Sequence, residues 1–90
     1  MPSYNATADY GYAMDTTTQA LTLVLPASPF NGDLVGVVDA AGTFGTNALT
    51  VDPNGETLCG STDDRVLSTD WTLEVYKYVG SWVLIKVNKV

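Results

Sequence analysis

Short apolar segments alternate with turn-forming residues along this chain, and this alternation limits its fold more than any other feature. Residues 25–47, LPASPFNGDLVGVVDAAGTFGTN, place two prolines, four glycines and two aspartates around a single apolar run at 34–38. Proline removes a backbone donor and glycine permits a positive φ, so both interrupt regular structure. No window of about eleven residues or more carries the i, i+3, i+4, i+7 apolar stripe of a helix. The sequence therefore predicts strands and turns, not helices.

Strand candidates recur between the turns. Residues 21–25 (LTLVL) alternate and stop at Pro26, and residues 34–38, 48–51, 57–58 and 65–67 are shorter candidates. Asp52-Pro53-Asn54-Gly55 predicts a turn between two short antiparallel strands. Turn signals spaced by about 8 to 12 residues are typical of a sandwich or barrel. We expect one all-β domain over residues 9–90, a small antiparallel β-sandwich or barrel, preceded by a polar N-terminal arm over residues 1–8.

The two longest strand candidates, residues 71–79 and 82–87, are joined by Gly80-Ser81. A two-residue connection with glycine first predicts a type II′ hairpin turn. Alternation along the first strand places two sets of side chains on opposite faces. We expect Trp71, with Trp82, to fill the core, and Tyr76 and Tyr78 either to cover a second layer or to meet a partner. The two sets are Trp71, Leu73, Val75 and Val79, and Thr72, Glu74, Tyr76 and Tyr78.

Chain length and targeting signals set the context of the fold. A core in a chain of 90 residues supplies only ~3–5 kcal/mol, so we expect association with other chains to supplement it. Cys59 is the one cysteine and can form no internal disulfide. The first residues lack the basic start and apolar stretch of a secretory signal, and no apolar run is long enough to span a membrane. We expect a soluble chain made in a cytoplasm, without a membrane partner.

The charges are unevenly distributed. The net charge is −6; residues 1–64 hold eight acidic residues and no Lys or Arg, whereas residues 65–90 hold four basic residues and two acidic ones. Phosphate binding requires clustered Lys and Arg, so we expect no nucleic-acid partner. Two interpretations stay open. The asymmetry reflects solubility and chance, or it marks an acidic and a mildly basic surface that orient docking on a partner or a sister subunit.

Reactive groups are scarce. Without histidine the chain can build neither a Ser-His-Asp nor a Cys-His arrangement. We expect Cys59 to be a small buried or half-buried filler, and the carboxylates to serve turns and the surface. Residues 52–56 (DPNGE) superficially match a calcium loop, but the glycine is misplaced and the twelfth residue is Asp63 rather than Glu. We expect no enzyme: no catalytic residue, no cofactor and no metal site.

Two stretches, residues 21–47 and 71–83, resemble a module of virion structural proteins of tailed bacteriophages. The likeness extends from near Tyr10 to Val87, and Cys59 and Tyr78-Val79 depart from the pattern. Pro26, Pro29, Gly32, Gly42 and Gly45 look like scaffolding of a compact β-unit, with Asp33, Asp39 and Asn47 capping turns through side-chain to backbone hydrogen bonds. The matching elements are residues 25–29 (LPASP), 32–33, 34–38, 39–47 (DAAGTFGTN), 49–51, Gly55, Val75-Tyr76, Gly80 and Trp82.

The resemblance implies a virion protein, assembled in the bacterial host cytoplasm and commonly trimeric. Such modules occur in tail fibres, spikes and head-attached proteins. A chain that holds one module favours a capsid decoration (cement) protein that binds the major capsid protein of the assembled head shell. In this interpretation the arm 1–8 and one sheet edge contact the shell or a sister subunit. The alternative is a short tail-fibre or spike tip, or an adaptor, that recognises a host surface glycan or another tail protein through Tyr76 and Tyr78.

Overall fold

The strands lie between the turn-forming residues of the sequence, close to where the apolar segments predict them. The structure, a computed structural model, describes residues 2–89, with side chains described as far as Ile85. No helix occurs in that part of the chain, so none there could cross a membrane. The all-β prediction is confirmed. The strands are β1 (Ser3–Asn5), β2 (Tyr10–Met14), β3 (Leu21–Val24), β4 (Leu34–Asp39), β5 (Leu49–Asp52), β6 (Arg65–Leu67), β7 (Thr72–Tyr78) and β8 (Trp82–Lys89).

The strands form two four-stranded sheets that pack around one core. Sheet one has the order β1-β3-β5-β6 and sheet two the order β2-β4-β7-β8. From β1 to β5 the chain alternates between the sheets. As a result, β3, β4 and β5 each pair in parallel with the strand that lies two places earlier in the chain. Strands β6, β7 and β8 then add antiparallel neighbours. The sheets are therefore mixed, and the prediction of a purely antiparallel sandwich is wrong.

The parallel pairs have a simple physical origin. Parallel neighbours need a crossover connection, usually a helix. Here the crossover is a strand of the opposite sheet. Residues 3–52 therefore wind as successive coils, and each coil places one strand in sheet one and one strand in sheet two. Every inward side chain of β3, β4 and β5 is buried. The core contains Leu21, Leu23, Leu25, Val35, Val37, Phe44, Leu49, Val51, Leu58, Leu67, Tyr76 and Trp82.

The predicted arm contributes a strand to sheet one. Strand β1 pairs with β3, Ser3 opposite Thr22, and Ala6 is buried. The N–H of Thr22 donates to the carbonyl of Pro2. Both β1 and β2 are edge strands of their sheets. Neither was predicted as a strand, because SYN and YGYAM show little alternation of apolar and polar residues.

The β7–β8 hairpin is confirmed, but its turn is longer than predicted. Tyr78 pairs with Trp82, so the connection is residues 79–81, with Gly80 at φ 89°. The inward side chains of β7 are Thr72, Glu74 and Tyr76. The expected core role of Trp71 is wrong: it precedes the strand, is 43% exposed and has φ 64°. Trp82 is fully buried, as expected.

The turn at residues 52–55 is confirmed. Asn54 and Gly55 have φ 55° and 90°, and the Asn54 N–H donates to Asp52 Oδ1 over 2.8 Å. The antiparallel partner of β5 is β6, however, not residues 57–58. Of that predicted strand, Leu58 forms only isolated bridges, to Ser61 and Trp82. The turn therefore opens a longer connection that crosses towards sheet two before β6 begins.

Candidate interaction surfaces

Asp39 is the centre of a rigid junction at the end of β4. Its side chain is only 1% exposed. Burial by itself raises the pKa of a carboxyl, but the backbone donors around Asp39 outweigh burial and hold its pKa below the ordinary value. The predicted capping role of Asp39 is confirmed. Its two oxygens accept five backbone hydrogen bonds, at 2.9–3.3 Å, from Ala41, Gly42, Thr43, Phe44 and Trp71.

The loop that follows Asp39 packs against the segment before β7. The Gly45 N–H donates to Asp70 Oδ1 over 2.7 Å. A Cβ added to Gly42, at φ 70°, would collide with the indole of Trp71. The Trp71 ring therefore covers Gly42 from outside and does not enter the core.

Two further predicted caps are confirmed. The Asn47 side-chain amide donates to the carbonyl of Thr16 over 2.9 Å. Asp33 Oδ2 accepts the N–H of Phe30 over 2.9 Å, which closes the turn that enters β4. Backbone donors and short polar side chains thus fix the loops of the matched stretches.

An ion pair between half-buried Arg65 and buried Glu74 joins the two sheets. Arg65 of β6 reaches Glu74 of β7 through two bonds, Nε to Oε1 and Nη2 to Oε2, each 2.7 Å. Glu74 is 3% exposed and also accepts the Tyr76 hydroxyl over 2.6 Å. The hydrogen bond to Glu74 raises the pKa of Arg65, and burial raises that of the Tyr76 hydroxyl. Glu74 and Tyr76 are buried and these bonds satisfy their polar atoms, whereas the Arg65 side chain is 34% exposed.

Tyr76 and Tyr78 do not form a common surface. Tyr76 is fully buried, so of its two predicted roles the inner one is correct. Tyr78 is partly buried, packs edge-on against Trp82 at 5.4 Å between ring centroids, and donates to Glu56 Oε1 over 2.8 Å. This hydrogen bond raises the pKa of the Tyr78 hydroxyl. A ligand could therefore not stack on both rings.

Cys59 lies on the surface. It is exposed, with φ 53°, whereas the preceding Leu58 is buried. The prediction of a buried or half-buried filler is wrong because Leu58 occupies the inward position of this short turn. Within the described part of the chain, no three His, Cys, Asp or Glu side chains are placed to hold a metal ion.

A groove opens between the edge strands β1 and β2. Its volume is about 440 Å³. Tyr4 and Tyr12 contribute aromatic walls, and Asn5 and Asp15 contribute polar groups. Sequence reasoning missed this groove, because it requires β1 and β2 to be edges on the same side of the sandwich. Their exposed backbone groups make this side a template for an added strand.

The outer faces of the two sheets differ in polarity. Sheet one turns Thr22, Thr50 and Asp52 outward together with Val24 and Val66, and we call this its mixed face. Sheet two has an outer surface that we call the apolar face, with a shallow trough of about 340 Å³ across β2, β4 and β7. At one end of that face, Leu34, Lys77 and Val83 form a cross-strand row. The central residues of the apolar face are Gly11, Ala13, Gly36, Val38, Leu73 and Val75.

No protein-family model matches the chain, and no curated protein matches it. The functional interpretation therefore depends on the residues and on the resemblance described above.

Proposed function

We propose that this chain is a bacteriophage virion protein, a capsid decoration (cement) protein that assembles as a trimer and binds the major capsid protein of the assembled head shell. One observation supports this most. The two stretches that resemble the phage module, residues 21–47 and 71–83, meet at Asp39, whose carboxylate accepts the N–H of Phe44 from the first and of Trp71 from the second. The resembling residues are thus one structural unit, not scattered matches.

The form of this unit suits a building part. Its loops are held by backbone geometry and buried polar groups, and it needs no reactive side chain. A protein that binds the assembled shell but not its dissociated subunits stabilises the shell by mass action. The shell contact is proposed at the β1 edge, which combines the predicted arm and the predicted sheet edge in one surface. The exposed acidic residues Asp63 and Asp64 would face outward.

Co-sedimentation tests this function. Purified, labelled protein is mixed with DNA-filled phage heads stripped of it and, in parallel, with host cells. Saturable binding to heads in multiples of three is expected. Binding to cells alone would contradict the decoration role and favour a receptor-binding role. The serine-to-alanine variant Ser81→Ala, in the β7–β8 turn away from β1, serves as a control for labelling and handling.

The groove favours a second candidate function, a tail tip or adaptor that recognises a host glycan. Tyr4 and Tyr12 could stack on a sugar ring while Asn5 and Asp15 bond its hydroxyls. This site replaces the predicted Tyr76 and Tyr78 pair. The variant Tyr4→Ala should then abolish binding to cells or glycan.

A further inference from the structure

Strand β7 turns its more apolar side away from the core. Leu73 and Val75 point outward, whereas Thr72, Glu74 and Tyr76 point inward. Neighbouring β4 adds Gly36 and Val38 to the same outer surface, and Ile85 of β8 is 51% exposed. Gly36, Val38, Leu73 and Val75 are half-buried, and a contiguous apolar surface that stays partly open to solvent is a candidate protein contact. On sheet one, by contrast, Thr22, Thr50 and Asp52 interrupt the outward valines of its mixed face.

The apolar face has a shape that a second copy can match. Gly11, Ala13 and Gly36 form the floor of the trough along β2 and β4, and Leu73 and Val75 form the ridge along β7 that borders it. The monomer does not require glycine at position 36, because an added Cβ would meet no atom closer than 3.7 Å. Glycine within a strand weakens the strand and often marks a site where another chain approaches closely. The ridge of one copy fits the trough of the next.

The charges at one end of the face are also complementary between copies. Lys77 is exposed and forms no ion pair within the part of the chain that the structure describes. Leu34 lies opposite Lys77, and on its other side Leu34 exchanges hydrogen bonds with Asp9, which is exposed beside β2. Within one copy, β4 therefore separates the two charges. If a rotation axis parallel to the strands relates two copies, Lys77 and Asp9 stay at the same level along that axis in both copies. Lys77 of one copy then comes beside Asp9 of the next.

We infer that the apolar face of sheet two is the surface through which copies of this chain associate, around an axis parallel to its strands. Ridge residues of β7 enter the trough of the adjacent copy, and Lys77 pairs with Asp9 across the contact. This inference rests on the self-association that the proposed function includes, and it names the surface responsible. It leaves the β1 edge of each copy free for the shell.

The test compares two half-buried valines on outer faces, Val38 on the apolar face and Val24 on sheet one. Val38→Lys should weaken association at least tenfold, measured by sedimentation equilibrium, while Val24→Lys should leave the oligomer intact. Gly36→Thr, which favours the strand in a monomer, should also dissociate it. Far-ultraviolet circular dichroism checks that each variant is folded. An oligomer unaffected by Val38→Lys and Gly36→Thr, or a monomeric wild type, would overturn the inference.

A double-mutant cycle tests the charge pair. Lys77→Gln and Asp9→Asn should each weaken association by about two- to fivefold, the range for exposed ion pairs. The double variant should be no weaker than either single variant, because both remove the same contact. Additive losses would overturn the pairing. Head binding is measured separately, so a wild-type oligomer that ignores phage heads would refute the proposed function and leave this inference standing.

Discussion

The backbone N–H of Trp71 donates to Asp39 Oδ2 over 2.9 Å, across a separation of 32 residues. This bond ties the end of β4 to the start of β7, which pair in the middle of sheet two. The same carboxylate organises the loop after β4, so a single side chain positions two segments. Its substitution should therefore disturb more than a local turn.

Asp39→Asn should destabilise the fold strongly. An amide keeps one acceptor oxygen and turns an NH₂ group towards backbone donors, so buried N–H groups lose their partner. Hydrogen bonds to a charged group contribute about 1.5–3 kcal/mol each, and we expect the free energy of unfolding to fall by about 3 kcal/mol or more in urea. Asp33→Asn, which affects a cap with one backbone bond from Phe30, is the control and should lower it by about 1 kcal/mol or less. Equal losses for both variants would contradict the account.

Stability should fall in acid because of Asp39. Its pKa in the folded chain lies below the ordinary value of 3.8. The stabilisation is thus fully present well above that value and is lost as the pH falls through the folded pKa. Unfolding free energies of the wild type should decrease from about pH 5 downward. Asp39→Asn should show a shallower decrease, and an identical slope would contradict this assignment.

The ion pair between the sheets should be costly to break from one side. Arg65→Met leaves Glu74 buried without its cation, and we expect a loss of about 3 kcal/mol, at the lower end for buried pairs because Arg65 is partly exposed. Glu74→Gln added to Arg65→Met should cost little more, or restore stability. Chemical denaturation of the two single variants and the double variant measures this coupling. Purely additive losses would show that the pair is not coupled.

Two glycines separate steric fit from backbone strain. Gly42 and Gly55 have φ 70° and 90°, but only at Gly42 would a Cβ collide with Trp71. Gly55→Ala should lower the free energy of unfolding by ~1 kcal/mol, because alanine is strained in the left-handed conformation. Gly42→Ala should cost more and shift the Trp71 fluorescence, because the ring must move. A Gly42→Ala variant as stable as Gly55→Ala would place Trp71 elsewhere.

Proline at position 5 should block the β1 edge without disrupting its pairing. The carbonyl of Pro2 accepts a hydrogen bond from the N–H of Thr22 in β3, and the N–H of Ala6 donates to the carbonyl of Val24 in β3. Since bonding residues alternate along a parallel pair, the N–H of Asn5 points to the open edge. Asn5→Pro should reduce head binding by at least tenfold in co-sedimentation, whereas Asn5→Ala, which keeps the N–H, should bind as the wild type does. Unimpaired binding of the proline variant would exclude this edge as the shell contact.

The sequence predicted the local elements better than their arrangement. Apolar runs bounded by Pro and Gly predicted β3 to β8, and the resemblance implied the caps formed by Asp33, Asp39 and Asn47. Parallel pairing could not be predicted, because the same types of turn residue occur in a hairpin turn and in a short connection to the opposite sheet. Strand β1 was missed because its pairing depends on β3, which is distant in the chain.

The orientation of β7 illustrates a second limit. Alternation gives the period of a strand, and hydrophobicity then favours the side with Trp71, Leu73 and Val75 as the buried one. The opposite side is buried because Arg65 neutralises Glu74 from the other sheet, a contact that no local pattern reveals. The groove between β1 and β2 and the apolar face of sheet two were missed for the same reason. They exist only once distant strands lie side by side.

The central claim, that this protein decorates an assembled phage head, is tested most directly by imaging. Stripped heads are incubated with the protein and reconstructed by electron cryo-microscopy. We predict added trimeric density on the shell, with the β1 edge towards the capsid. Shells that stay bare at saturating protein concentration would contradict it.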